Sequence, residues 1–294
     1  MVFLSFLTIS VYVNYQYDWW EGQTMQKYFV VPHYNTWSEP FAFGFFHAFP
    51  YLIAIGFLKL FKYPMKLSIN FWGVFLFGVF LLSIRRGTDF YQVLSVFFNY
   101  TEWNFLSRIY YNLYTLLLMF VPLWIAYKVY FKNRIGHFYG LQIRGVSLAP
   151  YWVMLGGMIP LVFIASLMDS FLFMYPTYNL IAGTAYAEEV GINKEFSFWM
   201  YEFAYIMDYA SVEIFFRGFL VFAMVKYLGK HAIIPMVAAY VWLHFGKPLG
   251  ETIGSAFGGY ILGITALYSR NIWGGIFIHM GIAFFMDVFA FWMK

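Results

Sequence analysis

Long apolar runs, each closed by a short polar or basic cluster, follow one another along most of the chain. They fall at about 41–61, 67–84, 107–131, 150–175, 196–228, 232–246, 251–269 and 271–293. A hydrocarbon core about 30 Å thick takes roughly 20 helical residues, so most of these runs predict membrane-crossing helices. The first thirteen residues are apolar but lack a basic n-region and a small-residue cleavage site, and read as a short first helix rather than a removed signal. The polar, aromatic stretch Asn14–Pro40, with Trp19, Trp20 and Trp37, suits the membrane surface. The mixed stretch 87–105 suits an interfacial helix. The pattern predicts an all-α polytopic membrane protein, a bundle of about eight transmembrane helices with eight or nine crossings.

Composition sharpens this. Hydrophobic residues make up 62% of the 294 and charged ones 11%, too few polar groups to coat a soluble core of this size. Without cysteine, disulfides and thiolate chemistry are excluded. The net charge of +4 is spread over short loops, which argues against nucleic-acid binding. Ten Lys and Arg fall in one set of alternate loops and six in the other, placing Met1 in the cytoplasm; the pair Arg85–Arg86 runs against that assignment.

One apolar stretch breaks the rule that spans lack charge. Between Glu202 and Arg217 stand Asp208 and Glu213. At about 100° per residue, Glu202, Glu213 and Arg217 fall within roughly 60° of one another on a helix. Each ionisable group at membrane depth costs on the order of 3 kcal/mol, so four together imply a site. The next run ends at His244 and is followed by Lys247 and Glu251, where Gly246, Pro248 and Gly250 predict a broken helix facing a hydrated internal chamber. Gly250, Gly254 and Gly258, then Gly259 and Gly263, read as a packing face. The last run carries His279 and Asp287, about 80° and roughly 12 Å apart on one helix. Asp169, the only acid inside a span of the first 195 residues, reads as a capping or pairing group. The division expected is 1–195 as N-terminal helices and interfacial segments, and 196–294 as a polar-motif core, within one membrane domain.

A histidine on each of two helices and a carboxylate on a third match catalytic zinc chemistry, whose ligands here would come from separate helices because no HExxH is present. Glu213-Ile-Phe-Phe-Arg217, then Tyr240-x-x-x-His244, then His279 resemble the three motifs of the CPBP intramembrane metalloproteases, the CAAX-prenyl-protease type also called Rce1-like or Abi. The family pattern is EExxxR, FxxxH, and HxxxN or HxxxD, and the resemblance covers about 202–293. Three positions depart: Val212 stands for the first glutamate, Tyr240 for the phenylalanine, and Ala283 for the final Asn or Asp. Asp208 and Asp287 lie one turn away from the altered positions and are candidates to replace them. FGKPxxE after His244 resembles a divergent branch, while the pair Glu188–Glu189 lacks the arginine and reads as a decoy in a polar loop.

The resemblance implies a metal-dependent endopeptidase, CAAX-protease-like, acting on a membrane-associated protein or peptide in the lipid bilayer. His244 and His279 would bind zinc or another divalent ion with Glu213 or Asp287; Glu251 or Asp208 would accept the proton of the attacking water. Arg217 would orient Glu213, Lys247 would stabilise the oxyanion or neutralise excess acid, and Glu202 would support the site. The location expected is the inner membrane of a bacterium. Two other readings stay open: the same fold without catalysis, as a membrane scaffold, chaperone or immunity factor, and a proton-coupled carrier, which lacks an evident repeat.

Overall fold

In the computed structural model, residues 2–17, 38–143 and 146–293 are described; Trp19, Trp20 and Trp37, with Lys27, Arg144 and Lys294 of the charge count, lie outside the described residues. The principal helices are α1 (Val2–Tyr17), α2 (Ser38–Leu60), α3 (Ile69–Gly87), α4 (Tyr100–Ala126), α5 (Ala149–Ala165), α6 (Lys194–Glu213), α7 (Ile233–Leu243), α8 (Leu249–Ser269) and α9 (Trp273–Met293). No strand occurs among the described residues. Four helical rods, Pro40–Leu60, Ile69–Phe97, Tyr100–Ile135 and Trp273–Met293, are long and apolar enough to cross a membrane. Their outer faces carry exposed side chains such as Phe41, Phe45, Leu76 and Val129, as lipid-facing surfaces do. The protein is an all-α integral membrane protein.

Local chemistry sets the helix ends. Ser68 caps α3 by accepting a hydrogen bond from the Phe71 amide, and Arg85 and Arg86 in its last turn complement the helix dipole. Asn193 caps α6 by accepting from the amides of Glu195 and Phe196. The break expected after Tyr240 is present: α7 ends at Leu243, Gly246 takes φ +88°, and Pro248 precedes α8. The Thr252 hydroxyl donates to the His244 carbonyl at 2.6 Å, satisfying an acceptor that the broken helix would leave bare.

Some expectations change. The run 232–246 yields an α-helix of 11 residues, roughly 16 Å long, too short to cross a bilayer alone. It is buried along nearly its whole length, as an interrupted helix at membrane depth must be. Run 150–175 stops at Ala165, and Asp169, exposed, opens the separate short helix Asp169–Met174, where its charge suits the N-terminal dipole. Glu188 and Glu189 sit on the helix Gly183–Val190 rather than in a loop. Phe90–Phe97 is a 3₁₀ helix with Phe90, Val93 and Val96 exposed at the three-residue period that makes one face.

The chain forms two compact units, each drawn from three stretches: 1–88, 123–141 and 215–272 in the first, and 89–122, 142–214 and 273–294 in the second. In the first unit α2 packs on α3 and on α7, and α7 packs on α8. A Cβ on Gly259 or Gly263 would lie 2.9 Å from the Tyr240 ring or 2.7 Å from Met236, so only glycine lets α7 and α8 approach this closely. The packing face is therefore Gly259 and Gly263: a Cβ on Gly250, Gly254 or Gly258, one residue out of phase, would meet no neighbouring element within 4 Å among the described residues. In the second unit α9 packs on both α5 and α6. Phe105, Tyr178, Phe198, Tyr201 and Val288 form one buried cluster there, and Val162, Phe171, Tyr175 and Met286 another.

Candidate active site

Glu213 closes the α-helical part of α6 with no exposed surface, and the chain continues from Ile214 to Ala223 as a π-helix. The 100° reckoning from the sequence therefore holds only as far as Glu213. Across from it in the second unit stands His279 of α9, whose Nδ1 lies 2.9 Å from Glu213 Oε1. With Glu213 as a carboxylate, which only accepts, Nδ1 carries a hydrogen, and in the neutral ring the lone pair then sits on Nε2. The edge of the Tyr209 ring packs on this imidazole, centroids 4.6 Å apart, and the Tyr209 hydroxyl meets that of Tyr205 at 2.6 Å. The carboxylate is cradled by Gly275, one turn before His279 on the same helix: a Cβ there would lie 2.5 Å from Glu213 Oε2.

Asp208 and Asp287 of this unit are engaged elsewhere. Asp208 Oδ1 accepts from the hydroxyls of Thr115 at 2.8 Å and Ser211 at 2.9 Å. Asp287, fully buried, accepts from the Thr177 hydroxyl at 2.8 Å, and that hydroxyl also meets the Tyr201 hydroxyl. Glu202 is 1% exposed, and neither carboxyl oxygen has a hydrogen-bond partner among the described residues. Val212 and Ala283, at the departing motif positions, are buried apolar side chains.

The first unit holds Arg217, His244, Lys247 and Glu251. Arg217 is 1% exposed and lies over the Tyr240 ring, 4.0 Å from its centroid, a desolvated cation–π contact. His244 Nδ1 is 2.8 Å from the Tyr240 carbonyl; a carbonyl only accepts, so here too the lone pair is on Nε2. Lys247 and Glu251 form an ion pair at 3.3 Å, both partly exposed, and the Lys247 carbonyl accepts from the Tyr15 hydroxyl.

In the neutral ring each histidine leaves Nε2 open, with Nδ1–H held by a carboxylate or a carbonyl, and imidazole nitrogen is a donor type that zinc takes. Among the described residues no three His, Asp or Glu side chains stand together as a ligand set.

Gly275, Tyr209, Thr177 and Thr115 escaped the sequence reading. Gly275 left one signal, its place four residues before His279 on the same helical face; the others contact the site through tertiary packing that no spacing encodes.

Residues 194–285 match the family model described as type II CAAX prenyl endopeptidase Rce1-like. No curated protein and no solved structure matches the chain. The matched segment carries Glu213, Arg217, His244 and His279 in the order and spacing of the three motifs. Residues 194–285, which carry the three motifs, are thus similar to the Rce1-like family.

Proposed function

We propose that this protein is an intramembrane endopeptidase that hydrolyses a peptide bond of a membrane-associated protein or peptide, with the Glu213–His279 pair preparing the water. The observation that carries the reading is the 2.9 Å contact between a fully buried carboxylate and His279 Nδ1, inside a segment matching an endopeptidase family. His279 Nε2 takes a proton from water as its oxygen adds to the scissile carbonyl carbon. The imidazolium that forms is stabilised by Glu213, whose charge is worth more in a buried setting than in water. The same Nε2 then returns the proton to the amine nitrogen as the C–N bond breaks.

A divalent ion, zinc first, is the proposed cofactor on donor chemistry: imidazole and carboxylate are ligand types it takes, and with His279 Nε2 kept for the proton, His244 supplies the imidazole. When bound, zinc acidifies water and polarises a carbonyl. Prenylated proteins are the first substrate class to try, since the matched family is described by that activity.

The test is protein in lipid nanodiscs incubated with prenylated and unmodified peptides, with products read by mass spectrometry. His279→Ala and Glu213→Gln are expected to slow cleavage by about 10²–10⁴, the usual worth of a positioned base. Metal content of wild type beside the double variant His244→Ala/His279→Ala tests the cofactor separately. Cleavage unchanged in His279→Ala overturns the reading. A second reading, the same fold as a non-catalytic scaffold or immunity factor, is favoured by buried Val212 in place of the first motif glutamate; no cleavage of any peptide by wild type would support it.

A further inference from the structure

Nine of the ten Lys and Arg in the richer set of alternate loops are among the described residues, and all nine are exposed and belong to the first unit. Four stretches of chain bring them onto one end of that unit. Lys59 lies in the last turn of α2, and Lys62 and Lys66 in the link to α3. The Lys66 amide donates to the Tyr227 carbonyl at 2.8 Å, and the Tyr63 and His231 rings meet at 4.3 Å, which ties this link to Lys226 and Lys230. Lys128, Lys132 and Arg134 join through Tyr130, whose hydroxyl accepts from the Arg134 guanidinium at 2.9 Å and lies 3.4 Å from the Tyr227 hydroxyl. Arg270 comes in where the Ile272 amide donates to the Gly140 carbonyl at 3.2 Å. None of the stretches 57–69, 126–141, 224–233 and 266–272 contains an Asp or a Glu. At the opposite ends of α3 and α8, roughly 30 Å away, Arg86 is exposed but Lys247 is paired with Glu251.

Like charges gathered on one face repel one another, and these stretches supply no acid to offset them, so anions from outside relieve the repulsion. The surface between the charges is apolar: Leu60, Phe61, Ile69, Val129 and Tyr268 are all exposed, and the Lys128 ammonium lies 5.5 Å from the Trp124 ring centroid. An acidic protein patch or free phosphate would meet the charges but leave those apolar side chains in water. The boundary between headgroups and acyl chains meets both, because rings and lysine stems sit in the acyl layer while the ammonium groups reach the phosphates. We propose that this end of the first unit binds the headgroups of anionic phospholipids in the leaflet on its side, as one shared polybasic surface. Counting loop charges speaks only to the direction in which the chain inserts; the convergence of the four stretches adds a preference for one class of lipid.

The test places the full chain in nanodiscs of phosphatidylglycerol mixed with phosphatidylcholine and counts, by native mass spectrometry, the lipids that stay on the ejected protein. Phosphatidylglycerol should be enriched over its share of the bilayer. The enrichment should fade as ammonium acetate rises from about 0.05 to 0.5 M, where the screening length drops from roughly 14 to 4 Å. Lys62→Gln/Lys230→Gln, at two exposed positions, should cut phosphatidylglycerol retention about fivefold for each charge removed. Arg86→Gln/Arg108→Gln removes the same net charge from exposed positions of the other loop set and should retain the lipid like wild type. Equal retention of the two lipids, or equal losses in the two double variants, overturns the proposal. Displacement of phosphatidylglycerol by a poly-glutamate peptide assigns the surface to an acidic protein, and displacement by inorganic phosphate assigns it to free phosphate; either overturns the lipid. Cleavage is not read, so the outcome is independent of the hydrolysis proposed above.

Discussion

Replacing Gly275 by alanine tests the dyad without touching either of its members. The new Cβ would start 2.5 Å from Glu213 Oε2 and 3.4 Å from its Cδ. To reach ordinary van der Waals contact the carboxylate must retreat by roughly 1 Å. The hydrogen bond to His279 is 2.9 Å long, and a displacement of about that size takes it past the limit of a useful interaction. Losing a charge-assisted hydrogen bond costs about 1.5–3 kcal/mol, while alanine in place of glycine in a helix returns about 1 kcal/mol. Gly275→Ala is therefore expected to be destabilised by about 0.5–2 kcal/mol, with the His279 Nδ1–H hydrogen bond to Glu213 lost. Thermal unfolding reads the first and the ¹⁵N shifts of labelled histidine in nanodiscs read the second. If the protein cleaves peptides, a misplacement of about 1 Å costs on the order of 10²-fold in rate. Gly258→Ala, at a position with open space, is the control and should be stabilising by about 0.5–1 kcal/mol with His279 unchanged. If Gly275→Ala behaves like Gly258→Ala in both measurements, Glu213 does not hold His279 as the geometry requires.

Three further outcomes follow from single contacts. Glu202→Met, which replaces a buried carboxyl lacking hydrogen-bond partners among the described residues by an apolar side chain of similar length, should stabilise the protein by about 1–3 kcal/mol in thermal unfolding; a loss of stability would mean that Glu202 holds a cation or a partner. Tyr240→Phe keeps the ring under Arg217 and should unfold like wild type, whereas Tyr240→Leu should lose about 2 kcal/mol or more; equal Tm values for the two variants would remove the cation–π contact from the account. His231, between α6 and α7 and packed on the Tyr63 ring, has its imidazole held below the ordinary histidine value by burial and then by the charge of Lys230. A depressed histidine favours the neutral form on folding, so its contribution is complete above a pH of about 6.5 and declines as pH falls below that. His231→Phe should flatten the slope of stability between about pH 7 and pH 5, and an unchanged slope would count against this assignment.

The apolar runs were enough to place most of the long helices, though not their ends, because water cannot solvate a backbone inside lipid and a run of apolar residues at membrane depth must close its own hydrogen bonds. The broken helix after Tyr240 was equally legible, since Gly246 and Pro248 forbid continuation for local reasons. Motif spacing identified Glu213, Arg217, His244 and His279, and the family match covers all four. Tertiary structure decided what they touch. That Glu213 grips His279 Nδ1, that the Tyr240 ring lies under the Arg217 guanidinium, and that Asp208 and Asp287 serve Thr115 and Thr177 all depend on residues more than twenty positions apart meeting in space. The glycine stripe of α8 makes the same point on one helix. Five glycines look alike as a pattern, but only Gly259 and Gly263 meet α7, because a helix presents each residue to a different neighbour and periodicity cannot say which neighbour is there.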